Sequence, residues 1–246
     1  MLSCRPSGLP GLALFFLLAP ILTIAQARPD SNTNLNPENV LAAKRQATLG
    51  ENSLLYVGAE YIRNGQRADG SPFFDSDTPL PGSVYYNGTL YQGLDLRYDL
   101  VSDQLIINNF TNTAYIQLVK EHVKYFYLTS HLFIFLNPVK TSSQSMRSGF
   151  YQQILASRYP VYARREKRLI FPQKQEDSPK YIQQNAYFIE ADGTYYHVTG
   201  KKTLLDLFKT RKDDLRKYIR DNKLDFTRHF EESMTRIVEF YADLKP

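Results

Sequence analysis

Five carboxylates in the middle of the chain have the residue type and spacing for acid–base chemistry. They lie in or beside predicted strands and are Asp95, Asp99, Asp103, Glu190 and Asp192. A pair of acids can act as general acid and general base when burial separates their pKa values. Asp95 and Asp99 share one face of a predicted strand, with Arg97 between them. We favour the alternative, in which that face is solvated and, with Arg97 between the two aspartates, supplies cross-strand or diagonal ion pairs.

A basic run lies in a second predicted strand and could bind an anionic partner. Its members are Arg158, Arg164, Arg165, Lys167 and Arg168. Tyrosine, leucine and phenylalanine lie among them, and basic side chains beside aromatic rings bind nucleic acid, lipopolysaccharide phosphates or anionic glycans. The favoured alternative is an edge strand whose charges protect the sheet from aggregation.

Other sequence signals of catalysis are missing. The four histidines, His122, His131, His197 and His229, do not stand at metal-ligand spacing, and no His-Glu-x-x-His helix occurs. The chain also contains no Gly-x-Ser-x-Gly motif and no glycine-rich phosphate loop. We therefore predict no catalytic residue, no metal site and no cofactor.

The elements that position these residues follow from composition. The 246 residues are 43% hydrophobic and include 18 Tyr and 15 Phe, so the chain can bury a core. This excludes a disordered tail, a collagen-like fibre and a disulfide scaffold. From Leu54 to about Thr199 the chain is rich in Tyr, Phe, Val and Ile between turn dipeptides, which predicts a β domain over residues 54–200.

Alternation of apolar and charged residues marks the clearest strand, Leu94 to Leu100. Asn87-Gly88 and Asp192-Gly193 each separate two aromatic runs and predict type I′ hairpin turns. Further strands are expected at 54–62, 104–109, 114–119, 122–128, 131–136, 150–157 and 160–170. Short connections predict an antiparallel meander, either a curved open sheet or a partly closed barrel.

Helices are expected at both ends of the β domain. Asn36 before Pro37 predicts a short helix over residues 37–48, inside a flexible leader that spans residues 28–53. Thr210 is a candidate cap for a helix from Arg211, and another helix is expected from about Phe226. Residues 201–246 thus form a C-terminal helical cap packed on the sheet, and the fold class is α+β.

The first 27 residues have the pattern of a signal peptide. Arg5 precedes an apolar run from Leu12 to Ile24, and Ala25-Gln26-Ala27 predicts cleavage after Ala27. The only cysteine is Cys4, so the mature chain contains none. The apolar stretch 123–136 is too short and too polar to span a bilayer, so no transmembrane anchor is expected after cleavage. We expect a protein of the periplasm or the extracellular space, with no nucleic-acid partner.

The segments Gly82 to Tyr91 and Leu94 to Ile106 resemble a family of exported proteins of Bacteroidota bacteria. Gly149-Phe-Tyr151, the basic strand Val161 to Phe171, and the stretch from Lys201 to Leu224 fit the same pattern in the same order. The resemblance extends from about Leu54 to Tyr241. It implies a Gram-negative envelope or secreted setting, and it assigns no activity and no site residue.

Two functional hypotheses follow from these observations. In the first, the chain is a non-catalytic envelope module whose aromatic concave sheet face binds a hydrophobic ligand or an envelope protein. In the second, it is a secreted hydrolase that acts on glycans or peptides through the five carboxylates. The first is preferred, because the sequence contains no other catalytic constellation.

Overall fold

Two hairpins of the sheet contain the type I′ turns that the sequence predicts. The computed structural model describes residues 53–63, 68–109, 113–137, 146–174 and 177–244. Asn87 and Gly88 have φ angles of 49° and 84°, and Asp192 and Gly193 have φ angles of 51° and 69°. Positive φ at both central positions is the requirement of a type I′ turn, which glycine and asparagine or aspartate meet at low cost.

The described residues form eleven strands and three α-helices. The strands are β1 (Ala59–Glu60), β2 (Leu80–Tyr86), β3 (Thr89–Asp99), β4 (Gln104–Asn108), β5 (Tyr115–Gln117), β6 (Val123–Leu128), β7 (His131–Leu136), β8 (Gly149–Leu155), β9 (Val161–Ile170), β10 (Lys180–Ala191) and β11 (Thr194–Val198). The helices are α1 (Lys201–Leu207), α2 (Lys212–Asp221) and α3 (Phe230–Asp243). Short 3₁₀ turns occupy Ser53–Tyr56, Lys120–His122 and Lys209–Arg211. All described residues belong to one unit of the chain, Gln46–Pro246.

The strands form one open antiparallel sheet in the order β1-β5-β4-β3-β2-β6-β7-β8-β9-β10-β11. Strands β2 to β5 form consecutive hairpins, and so do β6 to β11. Between these two runs the chain returns across the sheet, so that β6 pairs with β2 rather than with β5. The predicted antiparallel meander is thus confirmed in its main course, and the sheet is open rather than a closed barrel.

Several element boundaries differ from the sequence predictions. Residues 54–62 were expected to form one strand, but the structure has a 3₁₀ turn followed by the two-residue strand β1. Helix α2 begins at Lys212 after a 3₁₀ turn, without the predicted side-chain cap. Helix α3 begins at Phe230 rather than Phe226, because the Asp225 carboxylate accepts the N–H groups of Thr227 and Arg228 and holds a turn there. The expected signal peptide, leader and helix 37–48 lie outside the described residues.

The helices bury their apolar stripes against the last strands of the sheet. The stripe of α3 centres on Met234, Ile237 and Val238, all with no solvent exposure. These side chains share a cluster with residues of β9, β10, β11, α1 and α2 and with the residue that follows α1: Val161, Ile189, Val198, Leu204, Leu205, Phe208, Leu215 and Ile219. The expected C-terminal helical cap on the sheet is therefore present. Within the described ranges, no helix has the length and apolar content to cross a membrane.

Candidate functional site

The five candidate carboxylates do not gather around one cavity. Asp95 is exposed and lines a cavity of about 170 Å³, whereas Asp99 lines a different cavity of about 240 Å³. Glu190 accepts a hydrogen bond from the Tyr162 hydroxyl at 3.3 Å, and Asp192 lies exposed at its hairpin turn. Two acids acting as a catalytic pair need a shared substrate site. This arrangement does not bring such a pair together.

Asp99 holds the turn between β3 and β4. One carboxylate oxygen accepts the N–H groups of Val101 and Ser102, at 2.8 and 3.2 Å. The other accepts the Ser102 hydroxyl at 2.7 Å and the Tyr61 hydroxyl at 3.0 Å. Burial and the Asp99 charge raise the pKa of Tyr61. Both carboxylate oxygens of Asp99 therefore accept hydrogen bonds from this chain, from its own turn and from Tyr61 beside β1.

Within the described ranges, Arg97 forms none of the ion pairs expected on this strand face. Its guanidinium lies over the rings of Tyr115 and Phe73, with centroid distances of 4.3 and 5.3 Å. It also donates a hydrogen bond to the Tyr115 hydroxyl at 2.8 Å. A planar cation stacks well on aromatic faces. Both rings come from segments distant in the sequence, so the sequence alone does not place them beside Arg97.

Asp103 is the centre of a buried ionic cluster. Its Oδ1 atom accepts hydrogen bonds from the Tyr98 hydroxyl at 2.7 Å and from the Phe150 N–H at 3.4 Å. Its Oδ2 atom lies 2.9 Å from Lys120 Nζ and 3.1 Å from Arg164 Nη2. Burial, together with the Asp103 charge, holds the pKa of Tyr98 well above its ordinary value. Both oxygens are occupied by protein groups, so the cluster stabilises the fold.

The basic strand β9 lies inside the sheet, so the expectation of an edge strand is wrong. It pairs with β8 through residues 161–163 and with β10 through its whole length. Because side chains alternate along a strand, Arg164 and Arg168 point to one face, and Arg165 and Lys167 point to the other. The five predicted basic residues therefore do not form a single cationic surface.

Most of the basic side chains on β9 bind groups of this chain. Arg165 makes two hydrogen bonds with the Glu231 carboxylate of α3, at 2.8 and 2.9 Å. The Lys167 ammonium donates to the carbonyl oxygens of Ser71 and Phe73. Arg164 belongs to the Asp103 cluster. Arg158 and Arg168 are the two members whose side chains are exposed.

The aromatic face predicted to receive a hydrophobic ligand is filled by its own rings. Phe126 and Phe133 are stacked with centroids 4.9 Å apart, and both contact Tyr98 edge-on. Phe150 packs against Phe126 at 5.1 Å and Tyr98 at 5.7 Å. These four side chains are at most 1% exposed. Such interlocked packing leaves no apolar space for a ligand among these rings.

A gap along the outer edge of β10 is the candidate binding site. β11 pairs only with Tyr187 to Ala191, at the far end of β10. At the near end, Asp69 forms a parallel bridge with Lys180. We call the intervening stretch, residues 182–185, the edge notch. A cavity of about 450 Å³ opens beside it.

The hairpin register shows which β10 groups point into the edge notch. Ala191 and Thr194 flank a two-residue turn and form a hydrogen-bonded pair, so odd-numbered residues of β10 face its outer edge. Two further contacts agree. The N–H of the even-numbered Glu190 donates to Pro160 on the β9 side, and the N–H of Tyr181 donates to Asp69 on the outer side.

Gln183 and Asn185 therefore direct their backbone N–H and C=O groups outward in the edge notch. Across the described part of the chain, these four groups have no hydrogen-bond partner. The two residues are about 7 Å apart along the strand, which is the repeat at which an added strand would pair. Both residues are exposed.

The two faces of the edge notch differ in chemistry. Gln184, Arg168 and His197 lie on one face, where burial lowers the pKa of His197 and favours its neutral form. Tyr187 and Phe230 lie on the other, with ring centroids 5.2 Å apart. A bound strand would thus present alternate side chains to a polar, basic face and to an aromatic face.

Sequence reasoning missed this site. Residues 180–186 read Lys-Tyr-Ile-Gln-Gln-Asn-Ala, which has neither the alternation nor the β-branched content of a predicted strand. The free edge exists because β10 is longer than β11, and that difference depends on where Thr199 and Gly200 turn into α1.

Metal binding has no support in the described residues, where no three His, Cys, Asp or Glu side chains come together. The four histidines lie apart. His131 begins β7 after its turn, and its ring nitrogen is 3.0 Å from the Gln152 amide. His197 is stacked on Phe188 with centroids 5.0 Å apart, and His229 precedes the first residue of α3.

Comparisons of the chain with protein-family models, with curated proteins and with solved structures found no match.

Proposed function

We propose that this chain is a non-catalytic binding module that takes an extended polypeptide segment into the edge notch of β10. The observation that carries the proposal is the set of N–H and C=O groups of Gln183 and Asn185, which have no hydrogen-bond partner among the described residues. Backbone groups at a sheet edge form hydrogen bonds with any extended chain that reaches them, and many domains bind peptides in this way.

The size of the edge notch argues for a specific site rather than an aggregation-prone edge. The Asp69 bridge covers one end of the β10 edge and β11 covers the other. Natural sheets protect long free edges. Along the described edge of β10, only residues 182–185 remain open, and the cavity beside them supplies side-chain contacts that can select a partner.

The geometry offers less support to the two hypotheses drawn from sequence. A hydrophobic ligand would need space on the aromatic face, which Phe126, Phe133 and Phe150 fill. A hydrolase would need converging acids, but Asp95 and Asp99 line different cavities. Strand pairing needs neither an open aromatic face nor converging acids. It agrees with the version of the first hypothesis in which the partner is a protein.

We further propose that the module works in the periplasm or outside the cell, and that it belongs with exported proteins of Bacteroidota. The support is the leader sequence that ends at Ala25-Gln26-Ala27 and the resemblance of the later segments. Amino-terminal sequencing of the protein from an envelope fraction should begin at Arg28. A chain that retains Met1 in the cytoplasm would contradict this setting.

Amide hydrogen exchange tests the binding proposal. In the free protein, the N–H groups of Gln183 and Asn185 should exchange quickly, whereas the N–H of Gln184, which faces β9, should be protected. A pooled library of acetylated, amidated tetrapeptides should protect Gln183 and Asn185. Asn185→Pro removes one outward N–H and should abolish this binding, while Asn185→Ala retains the N–H and should bind.

Two results would contradict the proposal. One is a peptide that binds without protecting Gln183 and Asn185, because the site would then lie elsewhere. The other is unchanged binding by a folded Asn185→Pro variant. Far-UV circular dichroism and the urea midpoint establish that both Asn185 variants fold.

A further inference from the structure

From the shape and charge of the edge notch, we infer that its partner is the carboxyl-terminal end of a peptide, bound antiparallel to β10 with the terminal carboxylate near Arg168. This inference rests on the proposed strand pairing and names the part of the partner that is recognised. Three observations support it: the length of the gap, the placement of charge and the placement of aromatic rings.

The gap has room for about four residues of an extended chain. Asp69 continues the β10 edge at one end, where its N–H donates to Pro179 and its C=O accepts from Tyr181. At the other end, β11 stops at Val198 and the chain turns through Gly200 into α1. A strand running on through the gap would meet both segments, whereas a chain that ends in the gap has to turn away from only one of them.

Charge favours a carboxylate at the Asp69 end of the gap. Arg168 pairs in register with Ile182, the first residue of the edge notch, and its side chain lines the adjoining cavity. It makes no ion pair with any described residue, and it is exposed. Guanidinium groups bind carboxylates through paired, charge-assisted hydrogen bonds.

The neighbouring charges leave this positive charge in place. Glu166, on the same face, already binds Arg164 and Arg147 at 3.1 and 2.6 Å. Asp69 and Lys180 are bridge partners with opposite charges on the same face. The charges of this surface therefore sum to positive. Arg168 and Lys180 both lack an ion pair among the described residues, and of the two it is Arg168 that lines the cavity.

Strand direction follows from the position of Arg168. A carboxylate beside Ile182 belongs to the last peptide residue, so the preceding residues lie opposite Gln183, Gln184 and Asn185 in turn. That is the antiparallel direction. The residue three places before the carboxyl end then lies opposite Asn185, on the face where Tyr187 and Phe230 are placed. We expect an apolar side chain at that position.

A tetrapeptide array tests the inference, with every sequence made as a free acid and as a carboxyl-terminal amide. Free acids with an apolar first residue should bind at least about tenfold more tightly than their amides. A third set, amidated peptides that end in Asp, separates a chain-end carboxylate from a side-chain carboxylate. These peptides should bind like the other amides.

Matched arginine variants locate the carboxylate. Arg168→Met should reduce the affinity of free acids to that of amides, without changing amide binding. Arg158→Met is the control, because Arg158 is also exposed but does not line the cavity. This variant should change neither the affinity for free acids nor the affinity for amides. Both positions are exposed, so both variants are expected to fold.

The outcomes distinguish the inference from the proposed function. Equal binding of acids and amides, with Gln183 and Asn185 still protected, would overturn the chain-end inference and keep strand pairing. If the Asp-ending amides bound as tightly as the free acids, the chain-end inference would also be overturned. The site would then recognise an acidic side chain rather than a terminal carboxylate. Absence of any binder in all three sets would overturn both proposals.

Discussion

Arg164 on β9 and Asp103 in the β3–β4 turn form a buried ion pair across the sheet, with Nη2 and Oδ2 3.1 Å apart. The two residues are 9% and 8% exposed. A backbone hydrogen bond from the Lys167 N–H to the Leu100 carbonyl, 3.1 Å long, joins the same two segments. The open sheet therefore curls until the β3–β4 turn contacts β9.

Removing the Asp103 charge should destabilise the protein strongly. Asp103→Asn would remove the anion that Arg164 and Lys120 share and would leave Arg164, among the described residues, only its ion pair with Glu166. Removing one partner of a buried ion pair costs about 3 to 5 kcal/mol. Urea unfolding of this variant measures the loss. Asp213→Asn, which removes an exposed pair with Arg216, is the matched control and should cost at most about 1 kcal/mol. Equal losses in the two variants would contradict a structural role for the Asp103 cluster.

Gly149 should not tolerate a side chain. Its φ is +150°, and an added Cβ would overlap the Arg164 guanidinium and the Asp103 carboxylate. Gly149→Ala should therefore lower the free energy of unfolding by about 2 kcal/mol or more. Gly200→Ala is the control, because its Cβ would have no atom within 4 Å. Thermal midpoints of the two variants compare them, and a Gly149→Ala protein as stable as the control would refute the overlap.

Truncation of two adjacent aromatic residues of β6 should lower stability to very different extents. Phe126 has no exposed surface, whereas Tyr127 is 41% exposed. Phe126→Ala should cost about 3 to 5 kcal/mol, because it leaves a cavity among packed rings. Tyr127→Ala should cost under about 1 kcal/mol. Guanidinium unfolding measures both. A small loss for Phe126→Ala would indicate that the aromatic face is open rather than filled.

The attachment of α3 to the sheet should weaken in acid. Burial alone would raise the pKa of Glu231, but its hydrogen bonds and charge interaction with Arg165 outweigh burial and hold the pKa below the ordinary 4.5. A carboxyl group with a lowered folded pKa stabilises the protein above the unfolded value. That stabilisation is lost as pH falls from about 4.5 through the folded pKa.

The Glu231→Gln variant isolates this effect. It should cost about 1 to 3 kcal/mol at pH 7 and should lose less stability than the wild type between pH 5 and about pH 3. Urea midpoints across this range measure the difference. Glu232→Gln is the control at the exposed neighbouring position and should follow the wild type. The explanation fails if both glutamine variants show the same pH dependence.

Short-range pattern predicted much of the fold. Val161 to Ile170, His131 to Leu136 and the Asn87-Gly88 and Asp192-Gly193 turns are local features, because alternation and turn chemistry act over a few residues. Helix α3 was recognised from its apolar stripe, although its start was placed four residues early. The predicted strand at 54–62 failed, since only Ala59 and Glu60 find a partner, in β5.

By itself, the sequence determined the α+β class, most strand positions and the C-terminal helical cap, because hydrophobic periodicity and turn residues specify local structure. Only the tertiary structure decided what the charged residues do. Asp103, Arg164 and Arg165 looked like solvated or ligand-binding groups, but each is paired with a residue at least 61 positions away. The edge notch likewise depends on the unequal lengths of β10 and β11 and on the Asp69 bridge. Such long-range pairings depend on how the whole sheet curls, and no local pattern encodes them.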